Sequence, residues 1–223
     1  GVMTKMSKTA SENSPDSSYL PTQFQNWFSS KGWGVYPHQL SLISYLKESN
    51  SCLLIAPTGS GKTLSGFLPS LIELSKQASE NRTEPFLHTL YISPLKALAV
   101  DVHRNLQTPI AEMGLEISCE TRTGDTGQTK RNRQKIAPPN ILLTTPESVE
   151  LMLAWPEAAF YFSKLSAVII DEIHTVIGNK RGDLLSLSLA SLRVCAPSAA
   201  FIGLSATVAN PSHLACWLST TPD

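Results

Sequence analysis

The chain has 223 residues, 42% hydrophobic and 16% charged, with 18 Lys+Arg balanced by 18 Asp+Glu. That composition fits one large globular domain and excludes a disordered chain. The zero net charge excludes a histone-like binder held by bulk positive charge, so any nucleic-acid contact must use local patches.

Residues 1–20 are rich in Ser and Thr and read as a flexible, solvated tail, with order beginning near Pro21. The start lacks an apolar stretch, so no signal peptide is expected, and no run of about eighteen apolar residues is present to span a membrane. Short apolar runs then alternate with helical periods. Cys52–Ala56, Thr89–Ser93, Ile141–Thr144, Ala167–Asp171 and Ala200–Leu204 read as buried strands, and Glu116–Glu120 as a weaker sixth. Between them, Leu64, Phe67, Leu68, Leu71 and Ile72 form one helical face, and Leu95, Leu98, Val102, Leu106 and Ile110 another. A third helix is expected after an Asp183 cap, carrying Leu184, Leu185, Leu189 and Leu192. The alternation predicts an α/β fold, a mostly parallel sheet with helices on both faces. Ligands of such sheets bind beyond the C-terminal strand ends. Cys52, Cys119, Cys195 and Cys216 lie far apart without a Cys-x-x-Cys pair, which suits reduced thiols in a cytoplasmic protein.

The first strand runs into Ala56-Pro57-Thr58-Gly59-Ser60-Gly61-Lys62-Thr63, a P-loop pattern in which Ala56 replaces the first Gly. Gly59 and Gly61 let the backbone wrap a phosphate, and the helix start favours its charge. Lys62 can reach the β- and γ-phosphates of ATP, and the Thr63 hydroxyl can ligate Mg²⁺. A second strand end supplies Asp171, placed to hold Mg²⁺ partly through water, then Glu172, placed to deprotonate an attacking water. Asp171-Glu172 would equally suit the favourably charged start of a helix.

Taken in order, Ala-x-x-Gly-x-Gly-Lys-Thr, Asp171-Glu172-Ile173-His174 and Ser205-Ala206-Thr207 resemble superfamily 2 helicases of the DExH type. Ser93-Pro94-Leu95-Lys96-Ala97-Leu98-Ala99, Arg104-Asn105-Leu106, Arg122-Thr123-Gly124-Asp125-Thr126 and Thr144-Thr145-Pro146-Glu147-Ser148 are most similar to large helicase-related (Lhr) proteins. Lys31-Gly32-Trp33 and Pro37-His38-Gln39 lean toward the ligase-associated DExH branch. The resemblance implies a RecA-like lobe over 21–223 that binds Mg·ATP, with Thr58, Gly59, Ser60, Gly61, Lys62 and Thr63 on the nucleotide and Gln39 reading adenine. Trp33 or Tyr36 could stack on the base or pack in the core. It also implies that His174, Ser205 and Thr207 couple ATP state to lobe movement. Pro94, Lys96, Arg122, Thr123 and Thr145 would contact single-stranded nucleic acid, DNA favoured, through its backbone. Glu147 carries the wrong sign for a phosphate and is expected to serve its helix N-terminus. The basic run Lys130, Arg131, Arg133 and Lys135 reads as a solvated face.

Such helicases need a second RecA-like lobe carrying an arginine finger, and no such block follows Ser205-Ala206-Thr207. The expectation is the first lobe of a longer ATP-dependent helicase, acting on DNA or RNA–DNA duplexes in DNA repair, with slow ATP hydrolysis on its own. An RNA helicase lobe, a nucleic-acid-binding module that responds to ATP without hydrolysing it, and a P-loop enzyme unrelated to nucleic acid are the alternatives.

Overall fold

The computed structural model describes residues 20–32, 51–55, 62–78, 80, 84–206, 212 and 217–218. Six strands, β1 (Ser51–Ile55), β2 (Thr89–Ile92), β3 (Cys119–Arg122), β4 (Ile141–Thr144), β5 (Ala167–Ile170) and β6 (Ala200–Ser205), form one sheet. Their order is β1-β6-β5-β2-β4-β3, and every neighbouring pair is parallel. The described helices are α1 (Thr22–Ser30), α2 (Lys62–Ala78), α3 (Lys96–Glu112), α4 (Gln128–Ile136), α5 (Pro146–Leu153), α6 (Ala158–Tyr161) and α7 (Lys180–Cys195).

Side chains alternate between two cores, as the two-residue period of a strand requires. Tyr91, Leu143, Ile169, Ile202 and Leu204 face the side covered by α1, α2 and α3, where Phe67, Leu71, Val102 and Leu106 are buried. Leu90, Ile92, Leu142, Val168, Ile170 and Phe201 face the other side, against Val149 and Met152 of α5 and Leu185, Leu189 and Leu192 of α7. Cover on both faces explains why β2, β4 and β5 are buried throughout and apolar without alternation.

Three expectations shift. The weak sixth strand lies at Cys119–Arg122 instead of 116–120. It is an edge strand with β4 as its one neighbour, and the Asn140 side chain, which accepts from Ser118 N (3.1 Å) and Oγ (3.2 Å), fixes where pairing begins. The last helix starts at Lys180, capped by Asn179, whose Oδ1 accepts from Gly182 N at 3.0 Å. Asp183 lies inside the first turn, where its charge still suits the helix dipole. Leu184 and Leu95 are exposed, Leu95 because it precedes α3 as its N-cap. Among the described residues, no helix is long and apolar enough to cross a membrane.

Candidate functional site

Because all six strands run the same way, their C-terminal ends share one edge of the sheet. The strand order splits this edge. β1, β6 and β5 carry the segments read as nucleotide-facing, and β2, β4 and β3 those read as strand-facing. β1 ends at Ile55 and α2 begins at Lys62, so the predicted phosphate loop does join a strand to a helix N-terminus. Gln39, Thr58, Gly59, Ser60, Gly61 and Thr207, with Trp33 and Tyr36, lie outside the described residues, as does the Lys62 side chain. Thr63 is half-buried in the first turn of α2.

Asp171 follows β5 and is 1% exposed. Its Oδ2 accepts from the Tyr91 hydroxyl at 2.6 Å, and its Oδ1 from the Glu172 amide at 2.8 Å. Tyr91 is fully buried on the neighbouring strand β2, and its ring packs against Phe67 of α2. Burial and the adjacent Asp171 charge hold the phenol well above its ordinary pKa, so it stays a donor at neutral pH. The chemistry of the donor set suits magnesium. The Asp171 carboxylate and the Thr63 hydroxyl are hard oxygen donors.

Glu172 is the one described non-glycine residue with positive φ, at 50° with ψ 39°. That left-handed turn costs an L-residue about 1–2 kcal/mol. It sends the chain out of the strand into a single 3-10 turn, Ile173–Thr175, pinned by the fully buried Ile173. Glu172 Oε2 then lies 3.2 Å from His174 Nε2, and His174 Nδ1 lies 2.7 Å from Ser205 Oγ at the end of β6. A neutral imidazole protonated on Nε2 satisfies both contacts, donating to the carboxylate and accepting from the serine. Three residues read separately from the sequence are thus one connected chain.

The other half of the edge is less open than expected. Lys96 is exposed, 3.5 Å from Asp125, and Pro94 is half-buried. Thr123 and Thr145 are buried, and their hydroxyls serve local turns. Thr123 Oγ1 accepts from Asp125 N at 3.2 Å, and Thr145 Oγ1 caps α5 through Ser148 N at 3.5 Å. Arg122, an 8% exposed residue, is braced from within: its guanidinium lies over the Trp155 ring at 4.9 Å and donates to Arg131 O (3.2 Å) and Gln134 Oε1 (3.3 Å). Burial lowers its pKa from the ordinary value, and its donors hold α4 against β3. Arg131, from the run read as a solvated face, reaches the turn instead, donating to Thr123 O at 2.6 Å. It lines a cavity of about 340 Å³ with Pro94, Lys96, Gly124 and Thr145.

Two more functional candidates were not legible as such. Tyr91 had one signal, a single aromatic residue in a buried strand. Arg181 had none; its Nε donates to Glu147 Oε1 at 2.8 Å and its Nη2 to the Pro94 carbonyl at 2.9 Å. Partial burial pushes the Glu147 carboxyl up, but the Arg181 hydrogen bond and its own backbone N–H leave it below the ordinary value.

Residues 36–214 match the DEAD/DEAH box helicase family. The ATP-dependent helicase Lhr-Core of Methanocaldococcus jannaschii is 40% identical over 209 residues, 89% of this chain and 25% of its own length. The Lhr helicase/probable uracil glycosylase of Mycolicibacterium smegmatis is 42% identical over 206 residues, 87% of this chain and 14% of its own. The structure of Mycobacterium smegmatis helicase Lhr bound to ssDNA and AMP-PNP superposes with a TM-score of 0.81 at 39% identity, over 91% of this chain and 27% of that one. The DEAD-box helicase Mss116 bound to ssRNA and UDP-BeF, at 18% identity and TM-score 0.76, shares the fold. The chain therefore spans a quarter or less of the length of the Lhr relatives it matches.

Proposed function

The chain belongs to the DEAD/DEAH box helicase family, and from that premise we propose that it is the first RecA-like, ATP-binding lobe, over 21–223, of a longer Lhr-type helicase. One observation carries the reading: Asp171 buried at the end of β5, with Glu172 turned through a left-handed residue toward His174 and Ser205. A buried carboxylate fixed by two donors suits metal-linked phosphate binding, and a second carboxylate held apart from it suits proton acceptance.

Lys62 and the loop before α2 hold the triphosphate, and Gln39 reads the adenine. Thr63 and Asp171 would hold magnesium, which would supply charge neutralisation to the phosphates. Glu172 accepts the proton of the attacking water. His174, Ser205 and Thr207 pass the nucleotide state to a second lobe of the parent, which supplies an arginine to the transition state. Such a finger is worth about 10³–10⁵ in rate, so this lobe by itself hydrolyses ATP slowly. The edge formed by Pro94, Lys96, Thr123 and Thr145 faces a single strand and touches its backbone, leaving sequence unread. The ssDNA and AMP-PNP named for the Lhr structure support single-stranded DNA and ATP as ligands. Duplex unwinding in DNA repair, in the cytoplasm and in the ligase-associated branch, completes the proposal.

Titration of a fluorescent ATP analogue tests it. Wild-type chain binds in a magnesium-dependent manner, and Lys62→Ala, still folded by circular dichroism, does not. Wild-type affinity in the folded variant would refute the nucleotide site.

A further inference from the structure

Arg181 lies ten positions after Asp171, and a run of hydrogen bonds links Glu172 to Gly182, the next residue after Arg181. The Glu172 carbonyl accepts from the Thr175 amide at 2.9 Å and from its hydroxyl at 2.8 Å. The Thr175 carbonyl accepts from Asn179 Nδ2 at 3.1 Å. Asn179 in turn caps α7 through Gly182 N. Ile173 and Val176 anchor the segment, 0% and 2% exposed in the core beneath it. At Gly182 the contact leaves no slack, since a Cβ there would sit 2.0 Å from the Val176 carbonyl oxygen. The turn after Glu172 and the first turn of α7 therefore move together or not at all.

Arg181 stands on that first turn and points to the other half of the sheet edge. One guanidinium grips two strand-facing blocks, the Pro94 carbonyl after β2 and the Glu147 carboxylate at the start of α5. These two blocks border the cavity that Lys96, Arg131 and Thr145 also line. A lysine ammonium could bond either acceptor, but only a planar fork presents two separate donors in a fixed geometry. The ion pair with Glu147 is too exposed to be retained for stability, at 43% and 60% side-chain exposure. What the contact does supply is geometry. It ties the position of both blocks to the backbone of Glu172.

We propose that Arg181 is a positioning residue that transmits strand occupancy at the edge beside Pro94 and Thr145 to Glu172 through the segment 172–182. This rests on the proposed nucleotide and strand sites, and adds the physical link between them. A strand entering the edge displaces the two blocks that Arg181 holds. The shift passes through Gly182 and Val176 to the Glu172 carbonyl, whose left-handed turn is the strained point most easily displaced.

Coupling between two sites is reciprocal and is read as an affinity ratio. The assay measures a fluorescent ATP analogue on the full-length protein, at low salt, with and without a saturating DNA oligonucleotide. Wild type is expected to show a ratio within the roughly 5–150-fold range of coupled sites. Arg181→Ala should lower that ratio to below about 2-fold, with DNA-free nucleotide affinity unchanged. Arg181→Lys and Glu147→Gln, each keeping part of the grip, should fall between, and they decide the matter if the alanine variant does not fold. A wild-type ratio in folded Arg181→Ala, or in both milder variants, overturns the proposal. So does a ratio of one in wild type when both ligands bind. Failure of wild type to bind nucleotide or DNA at all would instead refute the functional reading on which it rests.

Discussion

Replacing Tyr91 by phenylalanine removes a buried hydroxyl at the centre of the site, and with it the hydrogen bond to Asp171. The phenol donates to Asp171 Oδ2 at 2.6 Å, and both residues are at most 1% exposed. Phenylalanine keeps the ring, including its contact with Phe67 at 5.4 Å between centroids, so no cavity beyond one hydroxyl is made. What is lost is a buried donor to a carboxylate, and hydrogen bonds to charged groups contribute about 1.5–3 kcal/mol net. For a chain of this length, each kcal/mol lowers Tm by about 2–4 °C, giving an expected fall of roughly 3–12 °C. Urea unfolding at pH 7.5 measures the energy, and a magnesium series with a fluorescent ATP analogue measures the site. The variant should need several-fold more magnesium for the same nucleotide affinity, because Asp171 loses one of the donors that aim it. A stability change under about 0.5 kcal/mol together with an unchanged magnesium requirement would refute the argument.

Four further outcomes are expected. Glu172→Gln should bind nucleotide yet stop turnover in the full-length parent, since an amide cannot accept the proton; steady-state ATPase near wild type would remove Glu172 as the base. Glu172→Gly should be as inactive but remain within about 1 kcal/mol of wild-type stability, because relief of the left-handed strain offsets the entropy of glycine; chemical unfolding reads it. Gly182→Ala should cost about 3 kcal/mol or prevent folding, because its Cβ meets a backbone oxygen that cannot rotate away, and a neutral result in urea would mean that α7 is not seated as described. Alkaline pH should destabilise the chain. Burial raises Cys52 to about 11 and Cys119, with help from Glu120, to about 12. Folded pKa values above the unfolded ones mean that this stability is complete below about pH 9 and is lost as pH rises toward 11–12. The loss by pH 10.5 is about 2 kcal/mol per thiol, so Cys119→Ala should flatten a reduced-condition unfolding series between pH 8 and 10.5 relative to wild type.

The strands and the strand-to-helix junction after β1 were legible because they depend on local rules. A fully buried parallel strand must be apolar on both faces, so Ala167–Ile170 and Ile141–Thr144 announce themselves. A phosphate loop must join a strand to a helix, and the strand that ends at Ile55 and the helix that begins at Lys62 flank the predicted one. Contacts between distant segments were not legible. Arg122 and Arg131 are both arginines near a turn; only packing against Trp155 decides that the first is buried as a brace and the second faces the cavity. The cap of α7 went to Asn179 over Asp183 because the preceding turn delivers its side chain to Gly182 N, a matter of backbone path rather than residue type. Tyr91 and Asp171 lie 80 residues apart and meet because β2 and β5 are neighbours in the sheet. Sequence by itself determines which residues must be buried and which chemistry a loop can hold. Only the order β1-β6-β5-β2-β4-β3 decides which side chains share a boundary, because strand order is set by how helices cross the sheet, and a two-residue period carries no record of that.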